Sequence, residues 1–261
     1  MKEKSEMEKI HNATTKEGLA LAIVKARKTG VAIPADLIDQ ATLAEDDAYR
    51  VQAEVARQIG RIGGFKVANK PQAPRIMAPI FAKDVMNAPA VLAVPADEDI
   101  GIELEIGFRV DSPLPAPDVA DRKRAVAECL SAVAVIEVVR TRLPAGASPL
   151  LKLADNQING GLVVGVPLKN WASLPMGKVN AYLSLGDDIV LDGEAHVPGS
   201  NAFENFLVLE EMVGTHCGGL QQGQVVITGS LNGLPYVHAE TVIHGRIDGL
   251  GELSFRLDAI G

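Results

Sequence analysis

The segment Ala132-Val133-Ala134-Val135-Ile136-Glu137-Val138-Val139 constrains the fold more than any other stretch of the chain. A strand turns alternate side chains to opposite faces, and this run is apolar on both, the pattern of a buried central strand. Its one carboxylate, Glu137, cannot stay there unpaired, because burying a lone charge costs several kcal/mol. Glu137 therefore needs a cation, a proton-transfer partner or a raised pKa. An ion pair with Arg140 or Arg142 meets that need as well as a functional role does.

The rest of the chain is compatible with such a core. Of its 261 residues 47% are hydrophobic and 22% charged, which is globular composition and enough for one large domain or two small ones. Only ten residues are aromatic (Trp 1, Tyr 3, Phe 6), so the core is predicted to be Val, Ile, Leu and Ala. The 25 basic residues against 33 acidic ones give a net charge of −8, which argues against nucleic-acid binding. The basic cluster Asp121-Arg122-Lys123-Arg124 reads as a solvated helix face. No run approaches the roughly 18 apolar residues of a membrane span. The start, MKEKSEMEK, has no signal-peptide core and reads as a frayed tail. Cys129 and Cys217, the only cysteines, leave no material for a zinc site or a disulfide scaffold. Reduced thiols and a cytoplasmic location are expected.

Two capping boxes announce helices. Thr14-Thr15-Lys16-Glu17 opens one that runs to Gly30, and Thr42-Leu43-Ala44-Glu45 opens another that runs to Gly60. From Gly63 onward the texture is β-like. Strands are predicted at 91–94, 102–110, 132–139, 161–166, 178–183, 224–228, 236–243 and 251–257. Two helices interrupt them: one from near Asp118, and one after Ser200 that carries Phe203, Phe206 and Leu209 and stops at Gly218-Gly219. Helices first and then mostly strands predicts an α+β chain, with an N-terminal helical cap over residues 1–62 and a sheet-rich unit over 63–261.

Three segments can carry chemistry. In Gly101-Ile102-Glu103-Leu104-Glu105-Ile106-Gly107-Phe108, alternation puts Glu103 and Glu105 side by side on one face with Gly101 and Gly107. Neighbouring like charges repel unless a cation sits between them, although a solvated outer face is the plainer reading of an isolated E-x-E. Together with Glu137 they would form an oxygen-only site, which selects Mg²⁺ or Mn²⁺ over zinc. Lys66, between Phe65 and Val67 after a glycine pair, is either a partly desolvated, tunable lysine or an ordinary one on an edge strand. Asp84, alone in its stretch, reads as a cap or turn residue. His216-Cys217, at a helix end, needs no catalytic explanation.

At these residues the chain resembles the fumarylacetoacetate hydrolase superfamily, and within it the branch of 2-keto-4-pentenoate hydratases and 4-oxalocrotonate decarboxylases. The resemblance runs through Ala48-Tyr49 with Gln52, Gly64-Phe65-Lys66-Val67, Asp84, the E-x-E strand and Ala134–Val139. It continues through Leu153-Ala154-Asp155-Asn156 with Val163-Val164-Gly165, and through Gly223 and Thr228-Gly229-Ser230-Leu231. It implies a mixed β-roll or sandwich and a homo-oligomer. It also implies Mg²⁺ or Mn²⁺ held by Glu103, Glu105 and Glu137, with Lys66 and Asp84 as the proton-transfer pair. Asp155, Asn156, Gln157, Ser230 and Leu231 would then face a small 2-oxo acid substrate. The implied activity is that of a lyase, hydration of a 2-hydroxydienoate first. Decarboxylation of an unsaturated 2-oxo diacid, C–C bond hydrolysis and a non-catalytic partner subunit are the alternatives. The chain departs from the branch's pattern at Phe65, at Ala68-Asn69-Lys70, at Gln157-Ile158 and at Arg140-Thr141-Arg142. The metal ligands survive these changes, whereas several substrate-facing residues do not.

Overall fold

A computed structural model describes residues 15–38, 43–199 and 201–260. The larger of two sheets is built from β1 (Ile62–Ala68), β2 (Ile76–Phe81), β3 (Val85–Asn87), β5 (Ile100–Val110), β6 (Leu130–Val139), β7 (Asn159–Val164) and β10 (Val225–Ser230), in the order β2-β1-β10-β5-β6-β7-β3. A short β11 (Tyr236–Val237) pairs with one end of β5. The smaller sheet takes β4 (Ala90–Val94), β8 (Lys178–Leu185), β9 (Asp188–His196), β12 (Val242–Ile247) and β13 (Gly251–Ala259), in the order β4-β13-β12-β8-β9. Most neighbours are antiparallel, but β1 runs parallel to β10, β3 to β7 and β4 to β13. The chain is thus a mixed α+β fold, as its pattern predicts.

The expected central strand is β6, and every one of its residues is buried. Alternation divides it between two cores. Ala132, Ala134, Ile136 and Val138 join Ile102, Leu104, Ile106 and Phe108 of β5 in the core shared with the smaller sheet. Val133 and Val135 face the other way and meet Ile80, Leu162, Val164, Val225 and Ile227. Strands from both ends of the sheet share this second interior, so the sheet is rolled, with β2 touching β7. Close strand approach supports the roll. A Cβ on Gly64 would stand 2.0 Å from the Val225 carbonyl oxygen, which only glycine permits.

Helices α1 (Lys16–Thr29), α2 (Ala35–Ile38), α3 (Glu45–Ile59) and α5 (Pro149–Ala154) pack on one flank through Leu19, Ile23, Val51, Val55 and Leu151, together with Phe81. The cap of α1 is Thr15, whose hydroxyl accepts from Gly18 N at 3.1 Å, and the helix ends at left-handed Gly30. The cap of α3 is Ala44, whose N–H donates to Asp47 Oδ2 at 3.4 Å. Thr14, Thr42 and the N-terminal tail lie outside the described residues. Helix α4 (Arg122–Glu128) is tied to α6 (Ala202–Val213): Arg122 donates to both oxygens of Glu210, and Lys123 pairs with Glu204. The basic cluster is therefore a staple between helices rather than a purely solvated face.

Several expected elements change. The run 236–243 is not one strand: β11 belongs to the larger sheet and β12 to the smaller, with left-handed Glu240 between them. Helix α6 stops at Val213, where Gly214 turns left-handed, and His216–Gly218 form a separate 3-10 turn. Strand β9 has no hydrophobic alternation because it is the exposed edge of the smaller sheet, paired among the described residues only to β8. Helix α5 is short, but Ser148 caps it and Pro149 opens it. Among the described residues no helix is long and apolar enough to cross a membrane.

Candidate metal centre

The inner face of the roll changes character along β6. Val133 and Val135 face aliphatic neighbours, and one alternate residue further on Glu137 faces Glu103, directly opposite on β5. Glu105 follows on the same face. One carboxylate oxygen from each glutamate lies within 4.8 Å of the others, so the three can hold a metal ion. Glu137 is fully buried and Glu105 is 3% exposed. The reading of the E-x-E as a solvated outer face is thus excluded.

Lys66 supplies the counter-charge. It points into the roll from β1 and donates to Glu137 Oε1 at 2.6 Å and Oε2 at 2.7 Å. It is therefore not an outward lysine, and Glu137 is paired with neither Arg140 nor Arg142. Those arginines are engaged elsewhere, on Glu98 and Asp155. Asn159 Nδ2 adds a hydrogen bond to Glu137 Oε1 at 2.8 Å. Glu105 Oε2 accepts from the Gly229 N–H at 2.6 Å. That bond exists because the β10–β5 register breaks after Ile227, at Gly229 with φ +118°. Asn232 covers the break by accepting from Leu104 N and donating to the Ile102 carbonyl.

One ammonium against three carboxylates leaves the cluster short of positive charge. Burial first, and then repulsion from Glu137, push the Glu103 carboxyl up to about 7. Burial, followed by repulsion from Glu137 and Glu103, holds Glu105 well above the usual carboxylate range. Burial works against the charge of Lys66, yet attraction from Glu137, Glu103 and Glu105 outweighs it and raises its pKa. A divalent cation bound by oxygen ligands is the neutralising group such a donor set suits.

The loop between α5 and β7 forms the wall beside Lys66. Asn156, Gln157 and Ile158 all have φ between 51° and 53°. Three consecutive left-handed non-glycine residues, one of them β-branched, are strained and need external support. Asp155 supplies it. Its fully buried carboxylate takes two bonds from Arg142 Nε, at 3.0 and 2.9 Å, and one from Arg27 Nη2 at 3.4 Å. The Arg27 Nη2 also holds the Asn159 carbonyl at 3.2 Å, so the turn is clamped at both ends. From it the Gln157 carbonyl accepts from Lys66 at 3.4 Å.

The residues implied as substrate-facing divide. The carboxylate of Asp155 is committed to the arginines and is a positioning group for the turn. Asn156 is fully buried, and among the described residues neither its side-chain nitrogen nor its oxygen has a hydrogen-bond partner. Gln157 is half-buried beside Lys66. Ser230 Oγ donates to the Gly233 carbonyl at 2.7 Å within its own hairpin, and the Leu231 N–H donates to the Leu104 carbonyl. Asp84 pairs with Lys83 at 2.7 Å, and among the described residues no hydrogen bond joins it to Lys66. Sequence reasoning missed Asn159, Asn232 and Arg27. Asn159 carried a weak signal, a lone amide opening the apolar run Gly160–Val164. The other two are recognisable only in three dimensions.

A rolled mixed sheet with three converging carboxylates and one inward-pointing lysine inside offers an oxygen-donor set that can hold a divalent cation. Among solved structures this fold is shared with 4-oxalocrotonate decarboxylase from Pseudomonas putida G7, solved with calcium and acetate and with magnesium and adipate. The TM-score is 0.75 over 92% of this chain and 95% of that one, at 18% and 19% identity. Fumarylpyruvate hydrolase from Pseudomonas aeruginosa, in complex with Mn²⁺ and pyruvate, matches with TM-score 0.52 at 16% identity over 75% and 89%. 5-Carboxymethyl-2-hydroxymuconate delta-isomerase from Mycobacterium smegmatis matches with TM-score 0.53 at 14% identity over 77% and 81%. At these identities the likeness is one of fold, and it is the fold the sequence resemblance implies. No protein-family model and no curated protein matches the chain.

Proposed function

We propose that the chain is a divalent-metal-dependent enzyme of the fumarylacetoacetate hydrolase superfamily that transfers protons on an unsaturated 2-oxo acid. The observation that carries this reading is the convergence of Glu103, Glu105 and Glu137 on one buried point, with Lys66 on Glu137. Those three glutamates would hold Mg²⁺ or Mn²⁺, which when bound polarises a 2-oxo group and offsets the charge of its neighbouring carboxylate. Lys66, kept protonated by the surrounding carboxylates, donates its Nζ proton to substrate carbon and takes one back. The Gln157 carbonyl orients the ammonium. Walls of aliphatic side chains further along the roll exclude bulk water from the buried end.

Two outcomes pass through a dienolate. Loss of a remote carboxylate as CO₂ from an unsaturated 2-oxo diacid leaves its electron pair as a dienolate that Lys66 protonates. Protonation of the dienolate of a 2-hydroxydienoate instead gives the conjugated enone to which water adds. The near full-length likeness to a decarboxylase supports the first. Lys70 supports it too, being exposed, without an ion-pair partner among the described residues, and close enough for its charge to act on Glu103. Hydration is the second reading, supported by the sequence resemblance. The test follows dienol absorbance and CO₂ release in parallel, with and without Mg²⁺, on a hexenedioate and a pentadienoate. Metal-dependent CO₂ release from the diacid is expected. Hydration of the monoacid alone would reverse the order of the two readings, and no turnover of either would remove both.

A further inference from the structure

A second cluster of charge lies outside the metal centre, on the far side of the clamped turn. Arg27, Arg140, Arg142 and Lys83 line a cavity of about 80 Å³. Two of these cations have their own partners, Lys83 on Asp84 at 2.7 Å and Arg140 on Glu98 at 2.6 Å. Among the described residues Arg27 and Arg142 share a single ion-pair partner, Asp155, while the Phe81 ring lies under the Arg27 guanidinium and the charge of Asp84 also reaches it. One positive charge beside the cavity is therefore unmatched, and it is carried by side chains only 5% and 9% exposed. The strain registers on Arg27, which burial first, and then repulsion from Arg142, lower to about 10. Donor capacity is unspent as well. Among the described residues Arg27 donates only through Nη2 and Arg142 only through Nε and Nη2, which leaves the Nη1 of each without an acceptor, while the unpartnered Arg27 Nε is sealed in the interior.

We propose that this cavity is an anion site, taking a small oxyanion or the carboxylate of a short organic acid against Arg27 and Arg142. Guanidinium groups with free N–H donors bind such groups by charge-assisted hydrogen bonds, which strengthen where water is scarce. A water needs about 10–15 Å³ of such volume, so the cavity holds several waters or one phosphate- or carboxylate-sized group. The site is distinct from the metal centre. Asn159 stands between them, its carbonyl on Arg27 and its side chain on Glu137. Occupancy would tighten the clamp on the turn that carries Gln157.

The experiment measures the thermal midpoint of the full chain in EDTA at fixed ionic strength, against inorganic phosphate or succinate. A saturable rise of about 3–5 °C is expected from at least one of them. A stronger response to phosphate identifies a phosphoryl ligand, and a stronger response to succinate a carboxylate. Arg27→Met should lose the response. Because that variant also loosens Asp155, Ala32→Glu at the cavity wall provides an independent arm. It supplies a tethered carboxylate, so it should raise the anion-free midpoint and abolish the response. No rise in the wild type would overturn the site. So would a non-saturating rise that Ala32→Glu retains, the signature of general solute exclusion.

Discussion

The two ends of the roll's inner face share the same strands and differ in almost every physical respect. At one end Val133, Val135, Leu162, Val225 and Ile227 interlock, and their burial holds the edges of the sheet together. At the other end, beginning one alternate residue along β6, Glu137 faces Glu103 and Glu105, and among the described residues Lys66 is the one cation ion-paired to them. The first end stabilises the fold and offers no chemistry. The second is held in place by the first and is electrostatically unfavourable without a further cation. Rigid aliphatic packing is what allows two buried carboxylates and one half-buried one to be kept within 4.8 Å of one another.

The largest effect that would sharpen this contrast is on turnover. Lys66→Ala should lower it by about 10²–10⁴-fold, the usual range for a general acid–base group. It should also lower the metal-free midpoint, since Glu137 loses its partner, and saturating Mg²⁺ should restore most of that loss. A fall in turnover of less than tenfold would reduce Lys66 to a structural counter-ion. Next comes the clamp. Arg142→Met leaves the buried Asp155 with Arg27 alone and should cost about 3–5 kcal/mol in urea unfolding, as broken buried pairs do. A cost below about 1 kcal/mol would show that the left-handed turn does not depend on it.

The aliphatic end should respond as a core. Leu162→Ala removes a fully buried side chain opposite Glu137 and should cost about 2–5 kcal/mol. At the charged end the sign reverses. Glu105→Gln keeps the shape and an acceptor for the Gly229 N–H but removes a repelling charge, so the metal-free midpoint should rise and the response to Mg²⁺ should weaken. If both substitutions destabilise alike, the two ends are not different in kind.

The smallest effect is on pH dependence. The Glu103 carboxyl sits at about 7 in the folded protein, above its ordinary value near 4.5, so folding favours its protonated form. That contribution is complete below the ordinary value and is lost as pH rises through about 7. The metal-free midpoint should therefore decline between about pH 5 and 8. The stabilisation by Mg²⁺ should grow over the same range, because protons compete for the same oxygens. A metal response that is flat across this range would place the cation elsewhere.

The local pattern alone determined that β6 is buried on both faces, that Glu103 and Glu105 share a face, and that Glu137 requires a partner. Each follows from the period-two alternation of side chains and the cost of burying charge, which depend on near neighbours in the chain. The split of 236–243 between two sheets was not readable in this way, because the two-residue β11 is too short to carry a pattern of its own and is set apart from β12 by which strand it meets. Partner choice was decided in three dimensions. Lys66 lies 71 residues from Glu137, and Arg27 lies 128 from Asp155. Arg140 and Arg142, near Glu137 in sequence, turn away to Glu98 and Asp155 instead. Register, the break at Gly229 and the curl of the sheet set those distances, and all three are products of the packing of the whole chain.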